Sequence, residues 1–254
     1  NSRAVSANSV LAREFRPDRK ATRAVEPRIA AIVSRVDTAR WFSRVETLAG
    51  FDRSSYGAAI DGSEMDQARD WLASTFRSLG LATITPTFTG GSVQAENVIA
   101  VRPGTSNAGE WVLIGGHYDS RNTIVGPTGV LNTPGAEDNA SGCSGVLEMA
   151  SIFASIATER TLVFACYAGE EQGLFGSLAH MQSLAASGDL PRVRLALIMD
   201  MIGFSADSDL DVLLETNATH AATLHPRWSN YASVYAPELR VVLSSSASGS
   251  EISS

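Results

Sequence analysis

Several apolar runs that lack polar alternation constrain this chain more than any other feature. "NVIAVRP", "WVLIGGHYD", the stretch Thr161 to Ala165 and "VRLALIMDM" keep apolar residues at successive positions. A strand with one wet face alternates, so a strand that does not is covered on both faces. Helical spacing between the runs supplies the cover. Glu26 to Leu48 places Ile29, Ile32, Val33, Val36, Trp41, Val45 and Leu48 on one stripe, and Asp61 to Leu79 repeats the pattern before Gly80. Further helices are expected over Ser141 to Ala157, Gly176 to Ala186 and His220 to Tyr235, with short strands at "LATITPTF", "DVLLE" and "LRVVL". The expected fold is α/β: a three-layer arrangement around a mostly parallel mixed β-sheet with helices on both faces. A chain of 254 residues fits one such domain, here 25–254, preceded by an extended arm over 1–24.

Charge narrows the partners. The net charge of −7 argues against nucleic acid. Residues 1–60 carry +5 against −12 for the rest, which reads as a solvated basic arm or helix face. No run approaches the roughly 20 apolar residues that span a bilayer. The chain begins at Asn1, so an extracytoplasmic protein, secreted or periplasmic, with its signal peptide removed is the expectation, and a monomer without a membrane partner. Cys143 and Cys166 form a disulfide or remain two buried thiols, and two cysteines do not decide between these.

Chemistry enters at the strand ends. In open parallel sheets the active site lies beyond the carboxyl ends of the strands. "WVLIGG" leads to His117 and Asp119, and the Pro/Gly-rich loop Asn122 to Gly135 leads to Glu137 and Asp138 before a helix. "LVFACYAG" leads to Glu170 and Glu171, and "LALIM" to Asp200. Adjacent carboxylates repel, and burying either costs several kcal/mol unless a cation compensates. Asp200, between Met199 and Met201, is expected to be buried and unpaired without a cation. Taken singly, each residue has a plainer role as a structural histidine, a helix cap or a solvated loop acid. Together, an imidazole and several carboxylates on one rim suit zinc or a similar divalent ion.

Four segments in this order, "GGHYDS", "PGAEDNASG", "YAGEEQGLFGS" and "LIMDMIG", resemble the co-catalytic di-zinc aminopeptidases related to bacterial leucine aminopeptidase, over about residues 35–254. The resemblance implies an exopeptidase that removes N-terminal residues from peptides with a free N-terminus, using two Zn2+ ions. It implies that His117 and Asp200 bind one metal, Asp138 bridges both, and Glu171 binds the second. Glu170 is then the general base, and Asp119 hydrogen-bonds His117 and fixes its tautomer. The family's peptide bond after the bridging Asp is often cis, here Asp138–Asn139.

One ligand of that family is absent. Its second metal takes a histidine near the C-terminus, whereas this chain has only His117, His180, His220 and His225. The last three are expected on the surface. The chain stops at "SGSEISS", where an Asp-His sequence usually follows in the family, so a piece lacking its C-terminal end, with the second metal weakly held and little activity, is the expectation. Two alternatives stand beside the peptidase: a one-zinc, glutaminyl-cyclase-like acyltransferase, and a metal-free binding or receptor relative. Asn139 and Asn217 fit the N-glycosylation pattern, but Asn139 lies too close to the proposed metals to accept a glycan.

Overall fold

The computed structural model describes residues 13–14, 24–54, 63–91, 93–121, 134–205 and 210–245. The expected 1–24 arm, apart from 13–14 and Ala24, the loop over 122–133 and the terminal "SGSEISS" lie outside the described residues. In chain order the elements are β1 (Arg13–Glu14), α1 (Pro27–Val33), α2 (Thr38–Ala49), α3 (Glu64–Ser78), β2 (Ala82–Ile84), β3 (Thr87–Gly90), β4 (Val93–Glu96) and β5 (Val98–Arg102). They continue through β6 (Asn107–His117), α4 (Gly142–Phe153), β7 (Arg160–Tyr167), α5 (Phe175–Ser187), β8 (Val193–Ile198), β9 (Asp211–Glu215), α6 (Ala218–Tyr235) and β10 (Arg240–Ser244). These elements group into two compact units, one over 36–204 and one from the described parts of 1–35 and 205–253.

The larger unit holds a five-stranded mixed sheet in the order β2-β5-β7-β6-β8. β6 runs parallel to both β7 and β8, while β5 is antiparallel to its neighbours β2 and β7. Leu162, Phe164 and Cys166 of β7 face a core shared with Leu48 of α2, Leu72 and Phe76 of α3, and Val146 and Leu147 of α4. The rings of Phe76 and Phe164 stack at 6.4 Å, and each such buried side chain contributes about 2–3 kcal/mol. Val163, Ala165 and Tyr167 point to the opposite face, where Tyr167 meets His180 of α5. The α/β class, with a mixed sheet and helices on both faces, is therefore the fold formed.

Local chemistry sets the boundaries. The helix expected over Glu26 to Leu48 is two helices, because Asp37 adopts an extended backbone and its carboxylate accepts the Arg40 amide at 3.0 Å. An Asp in that geometry starts a new helix rather than continuing one. Ser63 caps α3 in the same way, accepting from Asp66 at 3.1 Å. Pro86 divides "LATITPTF" between β2 and β3.

In the smaller unit β9 and β10 are parallel, with Val212 opposite Val241, and α6 is the crossover between them. β1 lies antiparallel beside β10. The Asn217 side chain caps α6 by accepting the His220 amide at 3.1 Å. The Glu26 amide donates to the Tyr235 hydroxyl at 2.9 Å.

Candidate metal centre

Three neighbouring parallel strands end on one rim. The register sets His117, the last residue of β6, opposite Tyr167 at the end of β7, and Gly115 opposite Ile198 at the end of β8. Glu170 and Asp200 thus follow their strands by three and two residues. Asp138 arrives from a π-type turn over Ala136–Ser141 that feeds α4, and the Asp138–Asn139 peptide is cis.

The structure brings His117, Asp138 and Asp200 together, with one potential ligand atom from each lying within 4.8 Å of the others. His117 Nε2 is 3.0 Å from Asp138 Oδ1, 3.5 Å from Asp200 Oδ1 and 3.9 Å from Glu170 Oε2. Its Nδ1 is 3.0 Å from the Asp119 carbonyl oxygen, which can only accept, so Nδ1 carries the proton. Nε2 then turns a lone pair towards carboxylates unless a second proton or a metal ion intervenes. Burial alone would lower the His117 pKa, but the carboxylates of Asp119, Asp138 and Asp200 outweigh it and hold it well above the ordinary imidazole value. Hydrogen bonding to His117, against the effect of burial, holds Asp138 below the usual carboxylate range. One imidazole nitrogen and two carboxylates converging on a point fit the donor set that zinc takes in open sites.

Asp119 connects this group to the Glu-Glu turn. Its buried carboxylate accepts the amides of Glu170 at 3.2 Å and Glu171 at 3.3 Å, and Oδ1 also lies 3.4 Å from His117 Nδ1. Burial, with the negative charges of Asp119, Asp200 and Glu171 and against the effect of His117, pushes the Glu170 carboxyl up to about 7. Glu171 stands outside the three-residue group. Its carboxylate is 3.4 Å from Arg121 Nε, and burial together with the charge of Asp138 raises its pKa.

Two expectations need correction. Asp200 is not buried: its side chain is 51% exposed, two residues beyond the end of β8. His180 is not a surface residue. It is buried against Tyr167, with Nδ1 3.0 Å from the hydroxyl, and burial lowers its pKa to about 4. His220 is exposed and His225 half-buried on α6. Cys143 and Cys166 are buried thiols, not joined to one another.

Arg53 escaped sequence reasoning. It is fully buried, and its guanidinium donates to the carbonyl oxygens of Tyr118 (2.6 Å), Pro134 (2.9 Å), Gly135 (2.8 Å) and Leu48. Burial lowers its pKa to about 10, which leaves it charged near neutrality. It therefore ties the residue after His117 to the entrance of the Asp138 turn. Gly135 has a φ of +42°, and a Cβ there would lie 2.9 Å from Arg53 Nη2. A lone Arg in an irregular segment carries no pattern that announces such a role.

The sequence pattern of peptidase family M28 matches residues 97–250. A probable zinc metalloprotease of Pyricularia oryzae is 33% identical over 195 residues, covering 71% of this chain and 38% of that protein. The chain spans about two fifths or less of the length of the curated relatives it matches. Among solved structures, BSAP, a zinc aminopeptidase from Bacillus subtilis, aligns with a TM-score of 0.68 at 14% identity, covering 85% of this chain and 81% of that one. A glutaminyl cyclase from an Acidobacteriales bacterium aligns with a TM-score of 0.62 at 17% identity, over 88% of this chain and 75% of that one. At these identities the two structures are likenesses of fold alone.

Proposed function

This chain belongs to peptidase family M28, and we propose that it carries the catalytic centre of a zinc-dependent aminopeptidase that removes N-terminal residues from peptides. The observation that carries the reading is the convergence of His117, Asp138 and Asp200 within 4.8 Å at the ends of parallel strands, with Glu170 3.9 Å from the imidazole. Zinc held there supplies Lewis-acid polarisation of the scissile carbonyl and makes nearby water more acidic. His117 offers Nε2 because Asp119 fixes the proton on Nδ1. Glu170, whose backbone is held by Asp119, takes the proton of the attacking water and returns it to the leaving amine. Asp138 and Glu171 would hold a second zinc, which would supply a positive centre able to favour substrates with a free α-amine. Beyond the effect of burial, the charge of Asp138 raises the Glu171 pKa, and this supports the extension.

The test is metal content by mass spectrometry together with release of free amino acid from an aminoacyl anilide. The wild type binds zinc and turns over the anilide, while Glu170→Ala keeps its zinc and loses turnover. A Glu170→Ala protein with full activity would overturn the base assignment. The single three-residue group found among the described residues also suits a one-zinc acyltransferase. Cyclisation of an N-terminal glutamine without anilide hydrolysis would favour that second reading.

A further inference from the structure

Asp138 and Asp200 have half-exposed side chains, 48% and 51%, so packing of the carboxylates themselves does not set their separation. Something else must hold their two loops at the spacing of one ion. The turn that carries Asp138 supplies it through three other side chains.

Glu137 does not cap the helix that follows it. Its carboxylate reaches across and accepts the Gly203 amide on both oxygens, at 3.1 and 3.2 Å, and the Phe204 amide at 3.0 Å. The buried Asn139 carboxamide donates to the Met199 carbonyl at 2.9 Å and accepts the Met201 amide at 3.3 Å. The buried Ser141 hydroxyl accepts the Ile202 amide at 3.1 Å and donates to the Glu137 carbonyl at 2.7 Å. Successive residues on both sides of Asp200 are therefore held by alternate residues around Asp138. Close approach is built in as well. A Cβ at Gly142 would lie 2.3 Å from both Asn139 Oδ1 and the Met199 carbonyl oxygen, so only glycine lets the turn and the loop after β8 meet. Trp41 closes the outer side, donating its indole N–H to the Ser141 carbonyl at 3.1 Å.

We propose that Glu137, Asn139 and Ser141 are positioning residues that clamp Met199 to Phe204 against the Asp138 turn and so set the spacing at which Asp138 and Asp200 share one cation with His117. The clamp rests on the metal reading above. Backbone amides bonded to a carboxylate are stronger and more directional than neutral pairs, so Glu137 carries the largest share.

The experiment is a zinc titration of the full chain by competition with a chromophoric chelator. Glu137→Ala lowers zinc affinity by about tenfold, the scale on which supporting partners of metal ligands act. In an Asp200→Ala background the same substitution lowers it no further, because the clamp works only through Asp200. Glu137→Gln, which keeps a carbonyl acceptor, recovers part of the loss. Ser141→Ala removes one hydroxyl and shows a smaller loss with the same dependence on Asp200, so the inference stays testable if Glu137→Ala does not fold. A wild type that binds zinc while Glu137→Ala binds it equally well, or losses that add fully to that of Asp200→Ala, would overturn the clamp alone. A wild type that binds no zinc would overturn the metal reading, and the clamp with it.

Discussion

Two pairs of adjacent acids sit on the same rim, and the chain holds them in opposite ways. At Glu137–Asp138 the first side chain is committed to structure, accepting backbone amides from Gly203 and Phe204, while the second joins His117. At Glu170–Glu171 the backbone is committed instead: both amides are given to the Asp119 carboxylate, and the Glu170 side chain is left facing the imidazole. Similar acid pairs in sequence are thus anchored differently, one through a side chain and the other through its backbone. Which atoms are already bonded decides the chemistry, not the presence of two carboxylates.

The largest effects should separate the pairs along that line. Asp138→Ala is expected to lose zinc and turnover together. Glu170→Ala keeps zinc and loses turnover by about 10²–10⁴-fold, the usual contribution of a positioned acid–base group. Metal analysis beside anilide kinetics reads both. Should Glu170→Ala lose its zinc as well, the second pair would be a ligand pair and the contrast would fail.

The first pair has a further anchor that the second lacks. Arg53→Leu removes a buried guanidinium bonded to the carbonyls of Tyr118, Pro134, Gly135 and Leu48, and leaves those oxygens without donors. The expected cost is at least about 3 kcal/mol in unfolding free energy, because each unmet buried acceptor costs about 1–3 kcal/mol. Denaturant melts measure it. A loss below about 1 kcal/mol would mean that the Asp138 turn holds its place without Arg53.

Much of this rim is legible in the sequence, and what is not has physical reasons. Non-alternating runs ending in His117, Glu170 and Asp200 point to parallel strands with their carboxyl ends together, and the register bears this out. The exposure of Asp200 could not be read, because "LALIM" reports the apolarity of the strand, and Asp200 lies two residues beyond the end of β8. His180 could have been read. Gly176, His180 and Leu184 repeat at four-residue spacing and form the buried stripe of α5. The clamp residues were hidden differently, since Asn139 and Ser141 look like turn formers and their partners lie about sixty residues away.

The two buried histidines extend the comparison to pH. His117 faces carboxylates, whereas His180 faces the Tyr167 hydroxyl and keeps a pKa near 4, against about 6.5 when unfolded. Above pH 6.5 His180 is neutral in both states and costs nothing. As pH falls from 6.5 to 4 the unfolded chain takes up a proton that the folded chain refuses, so stability drops by up to about 3 kcal/mol and then levels off. His180→Phe should lose less stability than the wild type between pH 7 and pH 4.5, by about 2 kcal/mol. Equal acid limbs in the two proteins would show that His180 is protonated in place.

The smallest effect concerns the charge beside Glu171. Arg121 Nε lies 3.4 Å from Glu171 Oε2, and Nη1 donates to the Glu171 carbonyl at 3.3 Å, but the arginine side chain is 44% exposed. Water screens such a pair, and exposed ion pairs are worth about 0–1 kcal/mol. Arg121→Ala should therefore move the thermal midpoint by less than about 4 °C, while the Glu171 pKa rises because a cation that lowers it is gone. The two halves of that expectation are linked. A small stability change means that Glu171 is held by its backbone bond to Asp119, leaving its carboxylate able to exchange one cation for another. A large one would mean that Glu171, like Glu137, is committed to structure through its side chain, and the two acid pairs would no longer differ.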